Sequence, residues 1–118
     1  MLIKKFSEKV SGNGSIIYPS RNKELLKLDS RKITSIFQEK GVILFRNFRS
    51  KKEKLTEFTD RFTKKYANDA YRREEKFNNK HIKTVDEGNK EMPLHSEASY
   101  SPSWPEIIWF YCNKAPKK

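Results

Sequence analysis

Apolar residues of the chain are grouped in short periodic segments that are separated by polar ones. From Asn22 to Glu39 the spacing predicts a helix, in one or two pieces, with Asp29 or Ser30 as the N-cap of the second piece. Gly41 follows where a glycine commonly ends a helix. Three apolar side chains are expected to share one face of this helix: Ile33, Ile36 and Phe37.

A strand and a second helix are predicted directly after this glycine. Val42–Phe45 is a run of four apolar residues, which is typical of a strand buried on both faces. Ser50–Glu53 has the spacing of a capping box and indicates the start of a helix. Four apolar residues continue that helix at helical spacing: Leu55, Phe58, Phe62 and Tyr66.

The remaining strand signals are short and are separated by turns. Strands are predicted at Ile16–Tyr18, at His81–Val85 and, most strongly, at Glu106–Cys112, where β-branched and aromatic residues are concentrated. The polar segments between them predict turns or loops: Ser11–Ser15, Ala67–Lys80 and Asp86–Lys90. The pattern therefore predicts a single α+β domain over residues 1–118, with a sheet whose strands are too few to close it.

Charge and apolar content restrict the class of protein without deciding it. The net charge is +11, and 35% of the 118 residues are hydrophobic, so a thin core rich in aromatic side chains is expected. The basic residues run almost evenly from Lys4 to Lys90 and alternate with acids, which is typical of a solvated surface. Weak nucleic-acid binding remains an alternative, but the pattern does not favour it.

The chain shows no sign of export or of membrane insertion. Cys112 is the only cysteine, which excludes an internal disulfide, and we expect it to be an inert buried thiol. No apolar run is long enough to span a bilayer, and residues 1–10 lack the apolar core of a signal peptide. A cytoplasmic protein with no membrane partner is therefore expected.

His95 and Glu97 are the residues that indicate chemistry. On a strand, side chains two residues apart point to the same face, so these two would project together. An imidazole beside a carboxylate is two thirds of the triad that holds non-haem Fe(II) and leaves positions open for substrate. The same three-residue pattern also occurs in hydrogen-bonded surface pairs that bind no metal. The zinc deaminase motif is excluded because it needs a P-C-x-x-C sequence, which is absent.

Two segments, Gly41–Phe48 and Pro93–Pro116, resemble the TauD/TfdA-like family of Fe(II)- and 2-oxoglutarate-dependent dioxygenases. The first reads G-V-I-L-F-R-N-F, and the second contains P-L-H-S-E-A-S-Y-S-P-S-W-P and a strand that ends in cysteine. Glutamate in place of aspartate is similar to the clavaminate-synthase-like members. The resemblance implies a double-stranded β-helix, or jelly roll, with the N-terminal helices packed on its sheet.

The resemblance also implies an activity and its cofactors. His95 and Glu97 would be two of three Fe(II) ligands, and 2-oxoglutarate would be the cosubstrate in the oxidation of a small molecule. Three further residues would lie near the substrate or cofactor: Arg72, Tyr100 and Trp104. For these three the other interpretation stays open, in which Arg72 is solvated and the two rings are structural. The same choice applies to Trp109.

Several family features are not found in this sequence. They are the G-G-E/D-T stretch, the distal histidine and the arginine that binds 2-oxoglutarate. His81 could approach His95 across a hairpin, although a loop-edge histidine is the simpler interpretation. We therefore expect the N-terminal portion of such a dioxygenase, which is either the inactive product of a split, interrupted or truncated gene or a subunit that pairs with a chain carrying the missing ligands. A complementary chain or a homo-oligomer is the expected partner. The alternative function is a non-catalytic remnant or a basic binding module.

Overall fold

The computed structural model describes residues 1–5, 14–21, 23–67, 73–85, 90–99 and 101–115. The chain forms two compact units, Met1–Phe62 and Thr63–Lys118. Most of the turn predicted at residues 11–15, and all but the last residue of the turn predicted at 86–90, lie outside the described residues.

The N-terminal unit is built on a three-stranded sheet. β1 (Leu2–Lys5) pairs antiparallel with β2 (Ser15–Tyr18), which pairs in parallel with β3 (Ile43–Phe45). The parallel connection needs a long crossover, which contains a short 3₁₀-helix, η1 (Leu25–Lys27), and a helix, α1 (Ser30–Lys40). Ile17 of the central strand is completely buried, so the core of this unit lies against β2.

α1 begins and ends as the sequence predicts. Asp29 is the N-cap: its Oδ1 accepts hydrogen bonds from the backbone N–H groups of Arg31 (2.9 Å) and Lys32 (3.2 Å). Gly41 ends the helix in the left-handed region at φ 72°, where a side chain would be strained. Ile33 is only 2% exposed, which confirms that the predicted apolar face points into the core.

Asp29→Ala removes the N-cap side chain of α1 and should lower the free energy of unfolding by about 1 kcal/mol. The loss arises because two N–H groups of the first turn of α1 would lose their acceptor. The shift is measured as the midpoint of urea denaturation. Asp29→Asn is the matched control, since asparagine keeps a capping oxygen and should cost a few tenths at most. Equal losses in the two variants would show that the capping hydrogen bonds contribute nothing to stability.

β3 and the second helix differ from the prediction. β3 is an edge of the described sheet and its residues are half-buried, so the expected burial on both faces is wrong. The second helix, α2 (Leu55–Thr59), is much shorter than predicted, and a 3₁₀-helix, η2 (Lys52–Lys54), precedes it without a side-chain cap. At its end, the Thr56 carbonyl oxygen accepts hydrogen bonds from the Thr59 hydroxyl (3.1 Å) and from the backbone N–H of Asp60 (2.8 Å).

An aromatic cluster nonetheless forms at the predicted helical positions. The Phe58 ring makes edge contacts with Phe45 (centroids 5.4 Å apart) and with Phe62 (5.2 Å), and Phe45 also contacts Phe48 (6.2 Å). Phe58 is 1% exposed, which makes it, with Ile17, one of the two largest fully buried side chains of the described residues.

The C-terminal unit contains a small hairpin. β4 (Glu75–Lys76) pairs antiparallel with β5 (Asn79–Lys83), and Phe77 and Asn78 between them both have positive φ, as a two-residue turn of this kind requires. The strand predicted at residues 81–85 therefore exists but begins and ends two residues earlier. The loop predicted at 67–80 contains β4, while part of it, residues 68–72, is not described.

The strongest predicted strand, residues 106–112, pairs with no other strand in the part of the chain that the structure describes. From Ile107 to Cys112 its side chains alternate between half-buried and exposed, which is the periodicity of a strand with one covered face. Ile108 and Phe110 are 48% and 79% exposed. The strand pattern is present, but a strand also needs a neighbour for its backbone hydrogen bonds.

The architecture is α+β, with a mixed three-stranded sheet, a two-stranded hairpin and two α-helices in the described ranges. The helices predicted to pack on the sheet of a jelly roll stay a prediction. The described helices include none that is long and apolar enough to cross a membrane.

Candidate metal site

His95 and Glu97 lie in a loop of the C-terminal unit. The prediction that a strand carries both residues is therefore wrong. Residues 91–96 have no regular structure, and Glu97 begins a turn. The turn contains Ala98, which is 6% exposed and adopts φ 54°, a left-handed conformation that costs a residue with a side chain some strain. The Ala98 carbonyl oxygen accepts a hydrogen bond of 2.8 Å from the backbone N–H of Ser101.

The loop nevertheless brings the two side chains together. Nε2 of His95 lies 3.9 Å from Oε2 of Glu97. On the other side of the ring, Nδ1 of His95 is 2.8 Å from the carbonyl oxygen of Pro93. A carbonyl oxygen can only accept, so this contact favours the tautomer in which Nδ1 carries the proton. Nε2 is then left with its lone pair, directed to the side where the carboxylate lies.

Arg73 is a third member of the site. Its Nη1 lies 3.7 Å from Oε1 of Glu97, so the two carboxylate oxygens have different neighbours. Arg73 is not among the site residues predicted from the sequence, although its neighbour Arg72 is. Arg73 is distant from Glu97 in the sequence, and only the local R-R pair could have drawn attention to it.

All three side chains are partly open to solvent. The exposed fraction is 49% for His95, 39% for Glu97 and 33% for Arg73. Ion pairs at this exposure contribute roughly 0–1 kcal/mol to stability, because water and salt screen them. A metal ion could therefore take over the carboxylate at little cost to the fold.

Of the other predicted site residues, Trp104 is the one that the structure describes. Arg72 and Tyr100 lie outside the described residues. Trp104 is 68% exposed, and no contact between its ring and His95 or Glu97 is found among the residues that are described. Trp109 is half-buried, and Cys112 is exposed, so the expectation of a buried thiol is wrong.

His81 has a structural position away from the pair. It lies in β5, half-buried, with its ring stacked on Tyr66 at a centroid distance of 4.3 Å and an interplanar angle of 17°. It is therefore not an exposed loop-edge histidine. Within the ranges that the structure covers, no third histidine, cysteine, aspartate or glutamate joins His95 and Glu97 to form a metal cluster.

The pair can supply two donors to a divalent metal ion after a small movement. Metal bonds to nitrogen and oxygen are about 2 Å long, so neighbouring ligands of one ion lie about 3 Å apart, and the two donors, which are 3.9 Å apart, would have to approach each other. Histidine ligands usually donate their other N–H to a carbonyl or carboxylate, as Nδ1 of His95 does toward Pro93. One imidazole and one carboxylate match two positions of the triad that binds non-haem Fe(II).

Comparison with known families leads to the same class of protein. The model of the "Taurine catabolism dioxygenase TauD, TfdA family" matches residues 9–118, nearly the whole sequence, and the chain belongs to this family. Its members are oxidoreductases that depend on Fe(II) and 2-oxoglutarate. Comparisons with curated proteins and with solved structures gave no match.

Proposed function

We propose that this chain contributes two ligands, His95 and Glu97, to the iron centre of a 2-oxoglutarate-dependent dioxygenase that oxidises a small molecule. The observation that carries the proposal is the geometry of the pair: Nε2 faces Oε2 at 3.9 Å while Pro93 engages Nδ1. The family match over residues 9–118 supplies the chemical context. When bound, Fe(II) with 2-oxoglutarate would activate oxygen for the oxidation.

The residues of the chain have separate tasks in this proposal. The Pro93 carbonyl fixes the tautomer and orientation of the His95 ring, so that Nε2 is ready to bind the metal without a proton transfer. Glu97 offers Oε2 as an anionic donor on the same side. Arg73 is a positioning residue: it attracts Oε1 and so favours binding of the metal through one carboxylate oxygen.

Two ligands hold a divalent ion weakly, so the proposal includes a source for the third. We infer that the distal histidine and the arginine for 2-oxoglutarate come from polypeptide outside these 118 residues, either in continuation or as a complementary chain. Residues 107–112 are suited to such an addition. Their exposed face carries the apolar side chains of Ile108 and Phe110, and their backbone pairs with no strand among the described residues. Strands added there would extend the fold toward the jelly roll.

Three further residues and the extent of the domain belong to the same proposal. Arg72, Tyr100 and Trp104 are kept as residues near the substrate or cosubstrate, and the exposed ring of Trp104 is available for such contacts. The whole of residues 1–118 is taken as the N-terminal portion of one dioxygenase domain, acting in the cytoplasm.

Supplying the missing ligands tests the proposal. The DNA after codon 118 and the neighbouring genes are searched for a G-G-E/D-T stretch followed by a histidine and an arginine, and that polypeptide is expressed together with this chain. We expect succinate to form from 2-oxoglutarate in the combined preparation, but not with either part alone. His95→Ala should abolish it, and His81→Phe, as the matched control, should leave it unchanged.

Two results would overturn the proposal. One is turnover that survives His95→Ala, which would place the metal elsewhere. The other is a complementing polypeptide that associates with the chain and still gives no succinate, in which case the chain is a non-catalytic remnant.

A further inference from the structure

The N-terminal unit contains a cleft whose lining residues differ from the metal pair in type and in sequence position. It lies between η1 and the segment that leads from β3 through η2 into α2. Its walls are tied by backbone contacts: the N–H of Arg49 donates to the Lys23 carbonyl oxygen at 2.7 Å, next to a bridge between Glu24 and Arg49. Backbone contacts thus join the two segments that line the cleft.

A second set of contacts joins η1 to the residues after α2. The Arg61 guanidinium donates to the carbonyl oxygens of Leu26 (3.0 Å) and Leu28 (2.6 Å), which anchors η1 to the end of α2. The same guanidinium lies 6.0 Å from the centroid of the buried Phe58 ring. The Arg61 guanidinium is therefore engaged within the fold and is not one of the cations that a ligand would contact.

The lining of the cleft combines apolar and cationic residues. Four lining residues are apolar and are called the floor below: Leu25, Leu26, Leu55 and Phe58. Five are cationic and are called the rim below: Arg21, Lys23, Arg49, Lys51 and Lys54. Glu24 is the one acidic residue of the lining. The volume, about 890 Å³, is at the upper end of the range for small-molecule sites, which is about 300–1,000 Å³.

Within the described residues, none of the five cationic side chains of the rim forms an ion pair. Elsewhere on the chain comparable cations are paired, for example Lys83 with Glu75 at 3.0 Å. Five like charges around one concavity repel each other, and a bound anion would relieve that repulsion. The apolar floor also favours a ligand with an apolar part, which a bare inorganic ion lacks.

We propose that this cleft binds a small amphipathic anion, that is, a carboxylate or phosphate head group attached to an apolar body. The head group would be held by the rim and the apolar body would cover the leucine side chains of the floor. A nucleic acid is the less suitable occupant, because a polyanion needs a basic stripe along its backbone and gains nothing from aliphatic side chains. The inference does not rest on the iron proposal, because no residue of the pair lines the cleft.

The test is a titration of the metal-free chain at low ionic strength, followed by backbone amide NMR shifts. The probes are octanoate and octyl phosphate, which differ in the head group, together with inorganic phosphate, 1-octanol and a single-stranded oligonucleotide. We expect at least one of the two amphiphiles to bind saturably, at least about tenfold more tightly than phosphate or 1-octanol. The shifts should fall on residues 21–28 and 49–58.

The double variant Arg49→Gln with Lys51→Gln should weaken binding of that amphiphile at least about tenfold. The matched control, Arg31→Gln with Lys32→Gln, removes the same charge from exposed positions of α1 and should leave the affinity within about twofold. Unchanged amide shifts outside the cleft would show that both variants are folded. His95→Ala should bind as the unmodified chain does, which separates this test from the iron proposal.

Three outcomes would overturn the inference. Equal losses in the two double variants would show a general charge effect. Absence of saturable binding of both amphiphiles would show that the cleft is not a site for this class. Tighter binding of the oligonucleotide, without competition by either amphiphile, would assign the basic rim to nucleic acid.

Discussion

Replacing His95 or Glu97 by alanine is expected to lower the affinity of the chain for Fe(II) at least about 10–100-fold, since even outer-sphere partners of a metal are worth that much. Each variant removes one of only two donors that face each other at 3.9 Å, and a single side chain cannot hold a divalent ion. Equilibrium dialysis against Fe(II) under nitrogen measures the change.

His81→Phe is the matched control for this prediction, because it removes the other of the two histidines and keeps an aromatic ring against Tyr66. Its Fe(II) affinity should equal that of the unmodified chain. If His81→Phe reduces the affinity as much as His95→Ala does, the site is built differently from the description given above.

Truncating Phe58 to alanine is expected to cost the N-terminal unit about 3–5 kcal/mol of its free energy of unfolding. The ring is 1% exposed and lies between Phe45 and Phe62, so its removal leaves a cavity that neighbouring rings cannot fill without losing their own edge contacts. Small domains have only about 5–15 kcal/mol in total, so partial unfolding at room temperature is expected.

Hydrogen exchange of the amides of β2 and α1 measures the effect of Phe58→Ala on the N-terminal unit by itself. Phe110→Ala is the control, because it deletes an identical ring that is 79% exposed and should change stability by about 0.5 kcal/mol or less. A cost below about 1 kcal/mol for Phe58→Ala would show that the aromatic cluster does not organise this core.

The features that the sequence predicted correctly are those decided by neighbouring residues. Asp29 and Gly41 determine the ends of α1 through contacts within one turn, so a short stretch of sequence contains the whole signal. The hairpin strand β5 and the buried position of Phe58 follow from periodicity in the same way. β1 was not predicted, because two apolar residues followed by two lysines do not form a recognisable strand pattern without the partner β2.

The pairing of residues 106–112 and the position of Arg73 depend on contacts between distant parts of the chain. Residues 106–112 have strand periodicity, but whether they pair depends on a neighbour that local sequence cannot reveal. The spacing of His95 and Glu97 indicated that they act together, whereas the hydrogen bond to Pro93 and the turn at Ala98, not a strand, bring them together. Arg73 reaches Glu97 from another part of the C-terminal unit, a contact that no local pattern encodes.

The central claim is that His95 and Glu97 together hold one metal ion, and the nitrogen resonances of the imidazole rings test it most directly. The chain has two histidines, so selective ¹⁵N labelling of histidine gives two rings, which His81→Phe assigns. Zn(II) serves as a diamagnetic probe that accepts the same nitrogen and oxygen donors. We expect Zn(II) to shift Nε2 of His95 while Nδ1 keeps its proton and His81 is unaffected, and Glu97→Gln to weaken this response about tenfold or more. A response at His81, or no response at His95 at high Zn(II) concentration, would contradict the claim.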